Sequence, residues 1–83
     1  MIETLKKLID AQARLAVPAS ELDGSANLYE AGLTPFTAIR VLLAVEKTFN
    51  VEFPRHMLNA RNLRSIDAIA DCLRQLEPRR AVA

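Results

Sequence analysis

The fold of this chain is decided by residues 34–49, which read TPFTAIRVLLAVEKTF. Thr34 is a favoured N-cap, because its hydroxyl can accept a backbone N–H of the first turn, and Pro35 suits the first helical position. The residues that follow are mostly apolar, and none is Gly or Pro. The stretch therefore predicts one helix that ends near Phe49. The helix has more apolar residues than a single buried stripe along one face would need. We therefore expect it to be packed from two sides, with Leu42 in the core.

The segments on either side predict two further long helices and one short helix. Residues 2–15 carry apolar side chains at helical spacing, and this first helix is expected to end before Pro18. The last helix begins with Ser65 as its N-cap and is ended by Pro78. Between them, residues 54–59 predict a short helix or turn. The fold class is therefore all-α, a small four-helix bundle with three longer helices and one short one.

The connection before residue 34 is unusually long for so small a protein. Residues 18–33 contain Ser, Asp, Asn and both glycines of the chain, which are turn-forming residues. Long loops are usually either functional or held down by a few apolar anchors. Leu22, Leu28 and Leu33 are the predicted anchors.

Composition describes one small folded domain. Of the 83 residues 51% are hydrophobic and 25% charged, and the formal net charge is +1. With no Trp and three Phe, the core is expected to be aliphatic. We expect the domain to cover residues 1–78, with residues 79–83 as a frayed tail.

Several classes of protein are disfavoured. Cys72 is the single cysteine, so an internal disulfide is excluded and a cysteine metal site is not expected. We expect Cys72 to be a part-buried apolar side chain. Lys6, Lys7 and Asp10 interrupt the first turns, so we expect no signal peptide. No segment approaches the ~20 apolar residues of a membrane span. We therefore predict a cytoplasmic monomer that does not bind membranes.

Three motifs point to a family. Residues 28–36 read LYEAGLTPF, residues 42–49 read LLAVEKTF and residues 51–54 read VEFP. The chain resembles the acyl and peptidyl carrier proteins, which have a long loop ending in Gly-x-Asp-Ser-Leu, a helix ending in Glu-Glu-x-Phe, and an apolar-acidic-apolar-Pro connection. Ser65-Ile66 matches the start of the family's last helix. The resemblance implies the acyl-carrier-protein bundle. Within the family, the chain looks most like the stand-alone bacterial aminoacyl carrier proteins, which relatives of seryl-tRNA synthetase load.

The resemblance breaks at the residue that should hold the family's cofactor. Counted back without a gap from Glu46 and Phe49, the Asp-Ser-Leu motif falls on Thr34-Pro35-Phe36. Pro35 would then occupy the position that carries 4′-phosphopantetheine, and proline has no nucleophile, so no cofactor is predicted. With one gap, Thr34 becomes the acceptor and the chain is a working carrier with 4′-phosphopantetheine on that residue. The competing role for Thr34 is the N-cap.

In the family, the helix after the attachment position is the recognition surface and is usually acidic. Phe36 and Leu43 are candidates for an exposed apolar patch on it, and Arg40 and Lys47 stand where acids are usual. The resemblance implies a partner enzyme of a carrier system, such as an acyl- or aminoacyl-carrier ligase or transferase. The reversed charge argues against a standard fatty-acid synthase enzyme. The predicted function is a carrier-type protein that acts by protein–protein docking through this helix.

Two other classes are weighed against this interpretation. No nucleophile elbow, carboxylate pair, phosphate loop or metal-ligand spacing occurs, and the lone His56 has no second ligand nearby, so neither an enzyme nor a metal site is predicted. A helix-turn-helix nucleic-acid binder is the remaining rival. The net charge is low for that role. Acidic residues also surround the last of the candidate arginines, Arg74. The candidate basic residues are Arg55, Arg61, Arg64 and Arg74, and the acidic ones are Asp67, Asp71 and Glu77.

Overall fold

The computed structural model describes residues 1–78 and confirms an all-helical bundle without strands in that part of the chain. Its elements in chain order are α1 (Ile2–Gln12), a 3₁₀ turn (Ala19–Glu21), α2 (Pro35–Phe49), a second 3₁₀ turn (Arg55–Met57) and α3 (Ile66–Gln75). The second 3₁₀ turn is the predicted short helix. Helix α1 packs against both α2 and α3. The predicted tail, residues 79–83, lies outside the described residues.

Helix α2 has the bounds that its sequence predicts. Thr34 is the N-cap, and its Oγ1 accepts the backbone N–H of Thr37 at 3.1 Å. At the other end Asn50 adopts the left-handed conformation with φ 53°, which asparagine tolerates better than most residues. Ser65 caps α3 in the same way as Thr34, since its Oγ accepts the N–H of Ala68 at 3.0 Å.

The core is aliphatic, as predicted, and draws on every long helix and on the first loop. Leu42 is buried, which confirms its central place in α2. The largest side chains with less than 2% exposure are Leu5, Ile9, Leu28, Val45, Ile66 and Ile69. A domain of this size has a single core, so most of its stability depends on these contacts.

Two of the three predicted anchors tie the first loop down. Leu28 and Leu33 are buried, whereas Leu22 is only partly buried against the core. The Leu28 N–H donates to the carbonyl of Arg64 at 2.7 Å, and the Leu33 N–H donates to the carbonyl of Leu28 at 2.9 Å. The residues just before α2 are thereby held to the start of α3.

The predicted end of the first helix, near Leu15, is wrong: α1 ends at Gln12. Residues 13–16 are good helix formers, but tertiary bonds pull the chain into an extended path. Ala13 is buried with φ −128° and ψ 140°, and the Ala16 N–H donates to the carbonyl of Ala31 at 2.8 Å. The Asp10 carboxylate accepts the Ala19 N–H at 2.7 Å, which turns the chain back along α1.

Helix α3 also ends slightly earlier than its proline, at Gln75. Leu76, which was predicted to continue the buried stripe, is extended and partly buried. Proline disfavours helical backbone in the residue before it, so the chain has left the helix before Pro78.

The helix-turn-helix alternative is not supported by this architecture. That motif joins two helices by a turn of roughly three or four residues. Here residues 13–34 separate α1 from α2, and residues 50–65 separate α2 from α3.

Candidate docking and attachment site

Pro35, the predicted counterpart of the attachment serine, is the first residue of α2 and is exposed. The loop reaches it through Gly32, whose φ of +121° lies in a region that residues with a Cβ rarely adopt. The start of α2 is therefore presented to solvent at a defined place. The equivalence of Pro35 and the serine stays a prediction.

The Thr34 hydroxyl, the predicted alternative acceptor, is engaged in a reciprocal capping box with Thr37. The Thr34 hydroxyl accepts the Thr37 N–H and lies 2.9 Å from the Thr37 hydroxyl. The Thr37 hydroxyl in turn accepts the Thr34 N–H at 2.9 Å. Thr37 Oγ1 also lies 3.2 Å from the Thr34 carbonyl oxygen. The cap predicted for Thr34 is thus confirmed, and the same oxygen could act as a nucleophile only by leaving these bonds.

Helix α2 exposes an apolar ridge formed by Phe36, Ile39 and Leu43. Their exposed fractions are 70%, 56% and 58%. The spacing of three and four residues places them on one face of the helix. Phe36 and Leu43 were the predicted patch, and Ile39, which joins them, was missed. Their role in docking stays a prediction.

Arg40 and Lys47 form a basic edge beside this ridge. They are seven residues apart, about two helical turns, so they lie on one side of α2, and both are exposed. The one acidic residue of α2, Glu46, is tied down elsewhere: its Oε2 accepts the Phe53 N–H at 2.7 Å. Apart from Thr48, the exposed side chains of α2 are therefore apolar or basic.

On the other side of the ridge lies an apolar groove of about 530 Å³ between α2 and residues 58–63. Asparagines hold the outer wall in shape, because Asn59 accepts the N–H of Asn62 at 3.0 Å and the Asn62 amide donates to the Met57 carbonyl at 2.9 Å. The groove is lined by Tyr29, Pro35, Ala38, Ile39, Leu42, Leu58, Asn59, Ala60 and Leu63. Burial in this region raises the pKa of Tyr29 above its usual value. No local pattern in the sequence could reveal the groove, since its walls come from separate segments.

Within residues 1–78, the remaining reactive side chains are not gathered into a second site. Cys72 is buried at 4% exposure, and burial, with a smaller contribution from the Asp71 carboxylate, raises the pKa of its thiol. His56 is exposed in the second 3₁₀ turn. In residues 1–78, no three His, Cys, Asp or Glu side chains are placed to hold a metal ion. None of the helices described for residues 1–78 is both long and apolar enough to cross a membrane.

Comparison with known sequences gives two matches that cover most of the chain. The family model described as "Phosphopantetheine attachment site" matches residues 3–73. The aminoacyl carrier protein of Agrobacterium fabrum (strain C58 / ATCC 33970) is 32% identical over 74 residues, which are 89% of each chain.

Solved structures agree with these matches. A chain in the crystal structure of an engineered Bradyrhizobium japonicum glycine:[carrier protein] ligase, complexed with a carrier protein from Agrobacterium tumefaciens and AMP, superposes with a TM-score of 0.86. It is 32% identical, over 89% of this chain and 99% of that one. A solution structure from Agrobacterium tumefaciens gives a TM-score of 0.72 at 32% identity, over 90% of each chain.

Proposed function

This chain belongs to the phosphopantetheine attachment-site family of carrier proteins, and on that premise we propose that it docks through α2 with an enzyme of an aminoacyl or acyl carrier system. One observation carries the proposal: α2 exposes the ridge of Phe36, Ile39 and Leu43, although these large apolar side chains could have been buried. Contiguous exposed apolar surface on a small soluble domain usually marks a contact with another protein.

The partner we favour is a carrier-protein ligase. The supporting facts are the identity of 32% to an aminoacyl carrier protein and the likeness to a carrier protein crystallised with a glycine:[carrier protein] ligase.

The cofactor of the family is 4′-phosphopantetheine, and the residues at the start of α2 do not fit its attachment. Pro35 offers no hydroxyl, and the Thr34 hydroxyl is a secondary alcohol held in the capping box. We therefore place no arm on Pro35. The proposed function is docking, and no step of it passes through an attached arm.

The second candidate is a working carrier with its arm on Thr34, which is favoured by the exposure of that residue beside Pro35. Intact-mass spectrometry after incubation with coenzyme A and a phosphopantetheinyl transferase separates the two. The wild type and Thr34→Ala are expected to stay unmodified, and Pro35→Ser is expected to gain the arm. Modification of the wild type that Thr34→Ala abolishes would make this protein a working carrier.

Docking is tested by the affinity for the Bradyrhizobium japonicum glycine:[carrier protein] ligase, measured by biolayer interferometry. Leu43→Asp places a charge on the ridge and is expected to weaken binding by about tenfold or more, equivalent to ~1.4 kcal/mol. Val17→Asp is the matched control, since Val17 is also exposed but lies in the first loop. Equal affinities of the two variants would remove α2 from the docking surface.

We also propose that the protein is cytoplasmic and is not itself an enzyme. The first statement carries over the expectation from the sequence. Assignment to a carrier family supports the second. Fractionation of the native cell tests the location.

A further inference from the structure

Charge is distributed unevenly along this chain, although its net charge is only +1. Residues 34–66, which contain α2 and the outer wall of the groove, hold five basic and two acidic residues, a net charge of +3. Residues 1–33 hold three basic and five acidic residues, a net charge of −2. The stretch of sequence that contains the docking surface is thus more basic than the stretch before it.

A basic edge on α2 borders the ridge, and two further basic residues flank the outer wall of the groove in the sequence. Successive side chains are rotated by about 100° around the axis of a helix. On α2 this rotation places the groove first, the ridge next to it and the basic edge of Arg40 and Lys47 beyond the ridge. Across the groove, the wall residues 58–60 lie between Arg55 and Arg61, which are exposed. None of these four basic side chains forms an ion pair with a carboxylate of residues 1–78. Their charges are therefore available to a partner.

The acidic residues near this surface do not pair with the basic edge. Asp10 of α1 lines a cavity together with Arg40 but forms no ion pair with it. Glu46 accepts the Phe53 N–H and is partly buried. Glu52 is exposed in the connection after α2 and belongs to neither border. The remaining surface of the region is apolar with positive flanks.

A second copy of this chain is a poor occupant of the surface. Pairing two identical ridges would bring Arg40 and Lys47 of one molecule near the same residues of the other, and like charges across an interface are unfavourable. Nucleic acid is also a poor occupant, because the described surface between the basic flanks is mostly aliphatic, with Tyr29 in the groove and Phe36 on the ridge as its two aromatic residues.

We propose that the groove and ridge bind an acidic amphipathic helix of the partner enzyme, an inference that rests on the proposed docking function. Apolar side chains of that helix, at spacings of three and four residues, fill the groove and cover Ile39. Its Asp and Glu residues meet Arg40 and Lys47 on one side and Arg55 and Arg61 on the other. Such helix-in-groove binding gains affinity from the apolar contacts, and the charges select the partner and speed association.

Two synthetic helical peptides test this chemistry without the enzyme. Both carry the same leucine stripe, and the flanking residues are Glu in one peptide and Lys in the other. In ¹⁵N-labelled protein, the Glu peptide is expected to shift the amide signals of Tyr29, Leu42 and Leu63, and to bind about tenfold or more tightly than the Lys peptide at low salt. Equal binding, preference for the Lys peptide or binding of neither would overturn the inference.

Charge-reversed variants identify the residues responsible. The Arg40→Glu/Lys47→Glu variant should lose the preference for the Glu peptide. The control Lys7→Glu/Arg74→Glu makes the same change in net charge at exposed positions on α1 and α3 and should keep it. An equal loss in both variants would mean that only overall charge matters. Displacement of the Glu peptide by a short single-stranded oligonucleotide would assign the surface to nucleic acid and overturn the proposal.

The glycine:[carrier protein] ligase separates this inference from the function on which it rests. If both Leu43→Asp and the Arg40→Glu/Lys47→Glu variant weaken ligase binding, and added salt removes the effect of the charge variant, both are supported. If Leu43→Asp weakens binding and the charge reversal does not, the acidic helix is wrong and docking through α2 stands. If the wild type does not bind the ligase but binds the Glu peptide, the ligase is not the partner and the acidic-helix inference stands.

Discussion

Replacing Thr34 by alanine removes the cap that starts α2, and the structure allows the cost to be worked out. Pro35 has no N–H, so two backbone donors of the first turn lack a partner inside the helix, those of Phe36 and Thr37. The Thr34 hydroxyl satisfies the second of them at 3.1 Å. Because the site is exposed, water replaces part of the lost bond. We expect a loss of about 1 kcal/mol in the free energy of unfolding.

Urea denaturation followed by circular dichroism measures this loss, with an unchanged slope as evidence that the unfolding transition is the same. In a domain of this size, 1 kcal/mol lowers the melting temperature by roughly 4–8 °C. Thr48→Ala is the matched control, since Thr48 is an exposed threonine in the same helix that caps nothing, and alanine there should be neutral or slightly stabilising.

A double-mutant cycle with Thr37→Ala then tests the capping box itself. The two hydroxyls share their bonds, so the losses from Thr34→Ala and Thr37→Ala are expected to be less than additive. If Thr34→Ala were no more destabilising than Thr48→Ala, the hydroxyl would not be acting as a cap. Its availability as an acceptor for the phosphopantetheine arm would then have to be reconsidered.

Three further outcomes follow from the core, the loop and the buried thiol. Leu42→Ala should cost about 2–5 kcal/mol in urea denaturation, because the residue is buried in α2, and a loss below about 0.5 kcal/mol would contradict its place in the core. Gly32→Ala should cost about 1–3 kcal/mol from its φ of +121° alone, since an added Cβ would meet only ordinary contacts at 3.6 Å, and a neutral result would contradict that conformation. Burial raises the pKa of the Cys72 thiol, so in alkaline solution the folded state keeps a proton that the unfolded state releases. The contribution of this thiol to the free energy of unfolding is fully present below the ordinary thiol pKa and is lost as the pH rises through the pKa of the folded state. The Cys72→Ala variant should show a smaller fall in denaturation series at alkaline pH.

The candidate site was predictable only in part. Pro35, Phe36, Arg40, Leu43 and Lys47 could be proposed because a strong helix pattern places them at known spacings along α2. The groove could not, since Leu58 and Leu63 approach Leu42 only after residues 50–65 have folded back over the helix. The exposure of Ile39 was missed for a related reason: an apolar residue on a largely apolar helix does not reveal which neighbours cover it.

By itself, the sequence determined the features that depend on neighbouring residues. The start of α2 at Thr34-Pro35 and the cap of α3 at Ser65 are made by hydrogen bonds within one turn, so local patterns were enough to place them. Tertiary structure alone decided where α1 ends and where the docking surface lies. The end at Gln12 is set by a bond from Ala16 to Ala31 and by Asp10 receiving the N–H of Ala19, and these partners meet only when the loop packs against the core. Contacts between distant segments outweigh local helix propensity there, because the bond to Ala31 satisfies the Ala16 N–H that a longer helix would have bonded internally.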